Sequence, residues 1–282
     1  MSSPVSAGGP PPSARARLGA PAATRAMASI AGTVLECGGE TWEISSTLLG
    51  KGGFATVFRA TGSRKQSAAV KVIDLREQSL WAQAKLRSEG DNLLRAQYHD
   101  NIVRFHGELR HGPYHIFVLE EFGQDLLDQV IEQRGLKEAR SVGVVEQLMR
   151  ALAWLHSKRI CHGDVKPENL LCEHRDGVDV VKLADFGSAV QLPPHGTAAV
   201  DPVAQGTTLY SPPEVLQGHA FSCAADMWAA GITTCAARRA PTSHAHAPVS
   251  CQPRPARTHA VARAACAHPT PPPRRQHSDD GG

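Results

Sequence analysis

A chain of 282 residues with 41% hydrophobic and 20% charged side chains has the make-up of a folded globular protein, long enough for one large domain or two ordinary ones. That composition excludes collagen and coiled coil, and no run of about 18 uncharged apolar residues exists to cross a bilayer, so no membrane partner is expected. The net charge of +3 is uneven: residues 1–35 carry +3 and residues 233–282 carry +5, leaving −5 on the middle, which offers nucleic acid no electrostatic attraction. Seven scattered cysteines, an odd number with no pair two or three apart, point away from a disulfide framework or zinc clip and toward a reducing, intracellular and cytoplasmic setting.

In chain order, residues 1–35 form a leader, poor in large aliphatics up to residue 29, that reads either as disordered or as an organelle-targeting segment. Thr41–Leu49, Thr56–Ala60 and Ala68–Ile73 then read as short strands separated by Gly-rich turns. Leu75–Gln97 reads as a charged amphipathic helix, and Ile102–Gly107 and Tyr114–Glu120 as further strands. From Asp125 the apolar period becomes helical, through Leu126, Val130, Val144, Leu148, Leu152 and Leu155, before short strands near 169–173 and 179–184. After Ile232 the chain has almost no core-forming residues; its His and Cys residues match no compact metal site, and residues 233–282 are expected to be a disordered tail.

The middle carries the chemistry. Leu49-Gly50-Lys51-Gly52-Gly53-Phe54-Ala55-Thr56-Val57 is a Gly-rich turn between strands, where backbone amides can approach phosphate oxygens. Lys71, among the apolar residues of the next strand, would be costly to bury unless an anion met it. There follow Ile160-Cys161-His162-Gly163-Asp164-Val165-Lys166-Pro167-Glu168-Asn169, then Asp185-Phe186-Gly187, Gly206-Thr207 through Pro213-Glu214, and Asp226-Met227-Trp228.

These motifs, in this order, resemble the protein kinase family, covering residues 36–232. The resemblance implies an α+β, two-lobed fold: a β-rich N-lobe over 36–122 with one main helix, and an α-rich C-lobe over 123–232 lacking its last helices. It further implies ATP and Mg²⁺ as cofactors and Ser/Thr hydroxyls of protein substrates as acceptors, the Ser/Thr class resting on Lys166 and Thr207. Asp164 would orient the acceptor hydroxyl and take its proton, with Lys166 stabilising the moving phosphoryl group. Asn169 and Asp185 would bind the metal. Lys71 would hold the α- and β-phosphates beneath Gly50, Lys51, Gly52 and Gly53. Val57, Ala69 and Leu171 would sandwich the adenine, Leu49 would join the cofactor-binding residues at the start of the Gly-rich loop, Leu119 would guard the back of the pocket, and Glu120–Phe122 would form the hinge. Leu94, Phe105, His162 and Phe186 would stack between the lobes.

Four departures accompany the resemblance. Counting back from His99-Asp100-Asn101, the glutamate that should meet Lys71 falls at Gly90, one residue after Glu89; either Glu89 makes the pair or the pair is absent. Ala55 replaces a third glycine, as in kinases resembling the polo-like group. Gly163 stands where many relatives place an arginine that reads activation-loop phosphate. Glu214 should pair with an arginine from helices expected to be missing. The alternative to a working enzyme is therefore a kinase-like module that binds nucleotide or a partner without transferring phosphate. Its oligomeric state stays open.

Overall fold

The structure is a computed structural model that describes residues 30–52, 55–194, 197–198 and 207–238. All of these lie in the first of two compact units, residues 1–248; the second, residues 249–282, falls outside the described residues. Most of the leader and of the tail foreseen from the sequence, with Gly53 and Gly206, also lie outside them.

The small lobe is one six-stranded antiparallel sheet: β1 (Val34–Cys37), β2 (Glu40–Lys51), β3 (Thr56–Gly62), β4 (Ser67–Asp74), β5 (Phe105–His111) and β6 (Tyr114–Glu120), in the order β1-β2-β3-β4-β6-β5. Its alternation decides the site. On β4, Ala68, Val70 and Val72 are fully buried in a core with Trp42, Ile44 and Ile116, so Ala69, Lys71 and Ile73 must face the other way. β1 is absent from the strands expected of the sequence; its signal was the Gly38-Gly39 turn, both glycines at positive φ (62° and 76°), which closes a hairpin onto β2.

Helix α1 runs over Leu80–Ala96, shorter than the expected Leu75–Gln97. Two caps explain this: the Asp74 carboxylate accepts from the Arg76 N–H (3.0 Å), closing a separate 3₁₀ turn at Leu75–Glu77, and Ser79 Oγ accepts from the Ala82 N–H (3.2 Å) to begin the helix. The strand expected from Ile102 begins instead at Phe105, because Ile102 and its neighbours bond across to the large lobe. Val103 N–H donates to the Leu183 carbonyl (3.0 Å), Leu183 N–H to Asn101 (2.9 Å), and Trp154 Nε1 to the Ala96 carbonyl at the end of α1 (2.9 Å).

The large lobe contains a two-residue strand β7 (Gln124–Asp125), helices α2 (Leu126–Gln133) and α3 (Glu138–Ser157), and strands β8 (Ile160–Cys161), β9 (Leu170–Arg175), β10 (Val178–Leu183) and β11 (Val190–Gln191). There follow β12 (Thr197–Ala198), the single-turn α4 (Pro213–Leu216), β13 (Phe221–Ser222) and α5 (Cys223–Arg238). Val144, Leu148, Ala151, Leu152 and Leu155 of α3, at three- and four-residue spacing, pack into the lobe's core. Each leucine so buried contributes about 1.5–3 kcal/mol. α5 runs six residues past Ile232, with Thr233 and Ala237 buried, and the Leu136 N–H bonds the Ala237 carbonyl (2.8 Å). Among the described residues no helix is long and apolar enough to cross a membrane, and no cluster of three potential metal-binding side chains of His, Cys, Asp or Glu occurs.

Candidate active site

On the small-lobe side, the β4 alternation aims Lys71 at α1. Its ammonium reaches Glu89 Oε1 (2.7 Å) and Asp185 Oδ1 (2.9 Å), tying strand, helix and large lobe together. Of the two arrangements open from the sequence, Glu89 makes the pair. The count back from His99 runs across the connection after α1, where Tyr98 stands 93% exposed at φ +69°. A one-residue correction also applies to the stacked set. Leu94 points outward at 62% exposure, whereas Leu93, four residues after Glu89, is buried in one core with Phe105 and Phe186. At Gly90, the counted position, a Cβ would stand 2.6 Å from the Glu108 carboxylate of β5, a side-chain end that can move aside.

Burial opposes the Lys71 charge, but Glu89 and Asp185 more than offset it, leaving its pKa raised. The Lys71 charge holds the half-exposed Asp185 carboxylate down to about 2 despite desolvation. Glu89, desolvated in the core, is raised even with Lys71 beside it.

On the large-lobe side, the loop after β8 is fixed by one buried carboxylate. Asp226 of α5 accepts from the His162 N–H (2.8 Å) and the Gly163 N–H (2.9 Å), and its Oδ2 meets His156 Nε2 (2.8 Å). Gly163 sits at φ +77°, and a Cβ on it would lie 2.5 Å from the Ser188 carbonyl, so glycine is required by the local backbone. His162, fully buried, bonds the Ala184 carbonyl (3.0 Å) and meets the buried Phe186 ring edge-on at 5.1 Å. These contacts deliver Asp164, whose Oδ2 meets Lys166 Nζ (2.7 Å) and Asn169 Nδ2 (3.1 Å).

Thr207 shows what this pair can hold. Its hydroxyl donates to Asp164 Oδ1 (3.0 Å) and accepts from Lys166 Nζ (2.7 Å), while its N–H also bonds Asp164 Oδ1 (2.8 Å). Burial would raise the Asp164 pKa, but Lys166 and Thr207 prevail and lower it. Such a carboxylate is a weak proton acceptor and a good hydroxyl-aiming group.

Between the halves runs a cleft of about 510 Å³ lined by Leu49, Gly50, Lys51, Gly52, Val57, Ala69, Lys71, Glu89, Glu120, Phe122, Asn169, Leu171 and Asp185. Gly53 lies outside the described residues. Asp164 and Lys166 do not line this cleft; they adjoin it through Asn169, whose neighbour in space, Ala184, donates its N–H to the Asn169 carbonyl (2.9 Å) and leads into Asp185. Gly52 N–H donates to the Ala55 carbonyl (2.9 Å), and a Cβ on Gly50 would meet only open space. The Glu120 N–H is committed to the Arg104 carbonyl (2.8 Å) and its carboxylate to Lys182 (2.9 Å), so a base in the cleft must find its donor further along the hinge. Val103 and Ala184, apolar cleft residues overlooked in the sequence, carry no motif of their own. Glu214 is exposed and forms no ion pair among the described residues.

A two-lobed molecule with a lysine–glutamate pair above a cleft and an Asp–Lys–Asn loop below it has the architecture of a phosphoryl-transfer domain. The family model for the protein kinase domain matches residues 44–267, and the chain belongs to that family. It is 33% identical over 189 residues to "Myosin light chain kinase A" of Dictyostelium discoideum, covering 66% of this chain and 62% of that protein. It is likewise 33% identical over 190 residues to "Calcium/calmodulin-dependent protein kinase type II" of Caenorhabditis elegans (65% of this chain, 25% of that one). Over 191 residues it is 33% identical to "Serine/threonine-protein kinase DCLK3" of Mus musculus (66% and 23%). The chain thus spans from under a quarter to just over three fifths of the length of these relatives.

Proposed function

We propose that this chain is a serine/threonine protein kinase, moving the γ-phosphoryl group of ATP onto Ser or Thr hydroxyls of protein substrates. The observation that carries the proposal is the simultaneous contact of Lys71 with Glu89 and Asp185, which joins the charges of both lobes in one cleft. Lys71 would hold the α- and β-phosphates, the open space above Gly50 would admit the phosphate chain, and Lys166 would meet charge on the transferred group. Asp164 would aim the acceptor hydroxyl, as it aims that of Thr207.

The donor set fits Mg²⁺. Asp185 stays ionised and half-exposed, and the Asn169 side-chain oxygen takes no hydrogen bond from a described residue; both are hard oxygen donors facing the cleft. When bound, the ion would neutralise phosphate charge. The Ser/Thr class is supported by the Lys166–Thr207 contact and by the relatives' names.

The full chain incubated with labelled ATP, Mg²⁺ and a Ser/Thr-rich protein should label the acceptor, and Asp164→Asn should lower the rate by about 10²–10⁴-fold. The nucleotide-dependent rise in melting temperature should survive that substitution. Equal labelling by parent and variant, with the melting shift intact in both, would instead establish the module that binds without transfer.

A further inference from the structure

We infer that Cys161 and Cys223 form a latent disulfide, a modification site that a peroxide closes and a thiol reductant reopens. The Cys161 thiol donates to Cys223 Sγ across 3.3 Å, from sequence positions 62 residues apart. The sulfurs need close by little more than 1 Å to reach the bonded distance of about 2.05 Å. Among the described cysteines, Cys37 and Cys172 are buried elsewhere, in β1 and β9.

The location gives the pair its consequence. Cys161 ends β8, immediately before His162, and Cys223 opens α5, one turn before Asp226. A bond between them would make covalent the same junction that Asp226 makes through the His162 and Gly163 amides. The span it would close, residues 162–222, carries Asp164, Asn169, Asp185 and Thr207, and Ser222 at its edge pairs with Thr197 in the β12–β13 ladder.

Cys223 is only partly buried, whereas Cys161 is fully buried, so peroxide meets Cys223 first. Its sulfur takes one peroxide oxygen to become a sulfenic acid, releasing water. The Cys161 sulfur then displaces that oxygen as a second water, so two thiols and one peroxide yield one disulfide and two waters. Burial, and the Asp226 carboxylate beside it, hold both thiols above the ordinary cysteine range, so the bridge forms slowly and under sustained peroxide.

The full-length chain treated with hydrogen peroxide and mapped by mass spectrometry without reduction should yield a Cys161–Cys223 peptide lighter by two hydrogens. The bridged protein should melt about 5–10 °C higher, because a long loop of the unfolded chain is closed. Dithiothreitol should reverse both changes, and Cys223→Ser should show neither; Cys161→Ala serves as the second variant if Cys223→Ser melts low before oxidation. Oxygen adducts on Cys223 without the crosslink, bridges spread over other cysteines, or an unchanged melting temperature in the bridged form would each overturn the inference.

Discussion

The cleft is bounded by two charge assemblies built on opposite plans. Above it, Lys71, Glu89 and Asp185 come from a strand, a helix and a loop, the lysine lying 18 and 114 residues from its partners, and every contact is side chain to side chain. Below it, the Asp226 carboxylate, 1% exposed, grips the backbone amides of the loop it supports. The first assembly rests on side-chain contacts alone, so a shift of one helix would part them. The second cannot be opened without leaving buried donors unpaired. The contrast separates a part that can be switched from a part that only holds.

The largest effect should therefore come from below. Asp226→Ala strands two backbone N–H groups and removes the partner of His156, and should cost about 3–5 kcal/mol, read as a lower urea midpoint. A midpoint matching the parent would erase the distinction. Gly163→Ala attacks the same loop through its backbone: φ +77° and the Ser188 carbonyl together should cost about 1–3 kcal/mol in the same measurement.

The upper assembly should respond in activity more than in stability. Glu89→Gln should lower turnover about tenfold, a cost near 1.4 kcal/mol in the barrier, with a smaller change in melting temperature. Moving the carboxylate along the helix, Glu89→Gly with Gly90→Glu, should not restore turnover, because one residue along a helix turns the side chain by about 100°, away from Lys71. Restored turnover would show that the register of α1 is loose.

The smallest effect is one of pH. Asp185 has a folded pKa of about 2, below its ordinary 3.8, so its contribution to stability is present above about pH 4 and lost as the pH falls toward 2. Glu89, raised, has the opposite sign: its ionisation in the fold costs stability once the pH exceeds its ordinary 4.5. The melting-temperature gap between the parent and Asp185→Asn should accordingly narrow on acidification from about pH 5 to about pH 3; a constant gap would show that Lys71 does not depress Asp185.

What the sequence made legible follows from chain distance. Asp164, Lys166 and Asn169 are held by a few covalent links, so their order on the page is their order in space. The α1 register is hard to read at Leu94 because the count from His99 crosses a connection whose length the helix does not control, with Tyr98 at positive φ within it. The start of α1 is not legible in the apolar pattern, which continues through Leu75, because the Asp74 and Ser79 side chains interrupt the backbone before the helix begins. The grip of Asp226 on Gly163, across 63 residues, has a sequence signal in its motif, but the need for glycine at 163 emerges only from the approach of Ser188.

The tethering of the end of α1 has a mechanical consequence. With Ala96 held by Trp154, Asn92 Nδ2 bonded to the Ala189 carbonyl (3.0 Å) and the residues beyond the helix bonded to Leu183, the last turn of the helix is seated on the large lobe. Glu89 stands three residues beyond the nearest of these ties, about 4.5 Å at 1.5 Å per residue. A swing of about 20° about that seat would move Glu89 by about 1.5 Å, enough to part it from Lys71, so a push on the outer turns of the helix would be felt at the phosphate-binding lysine while the seat itself stayed still.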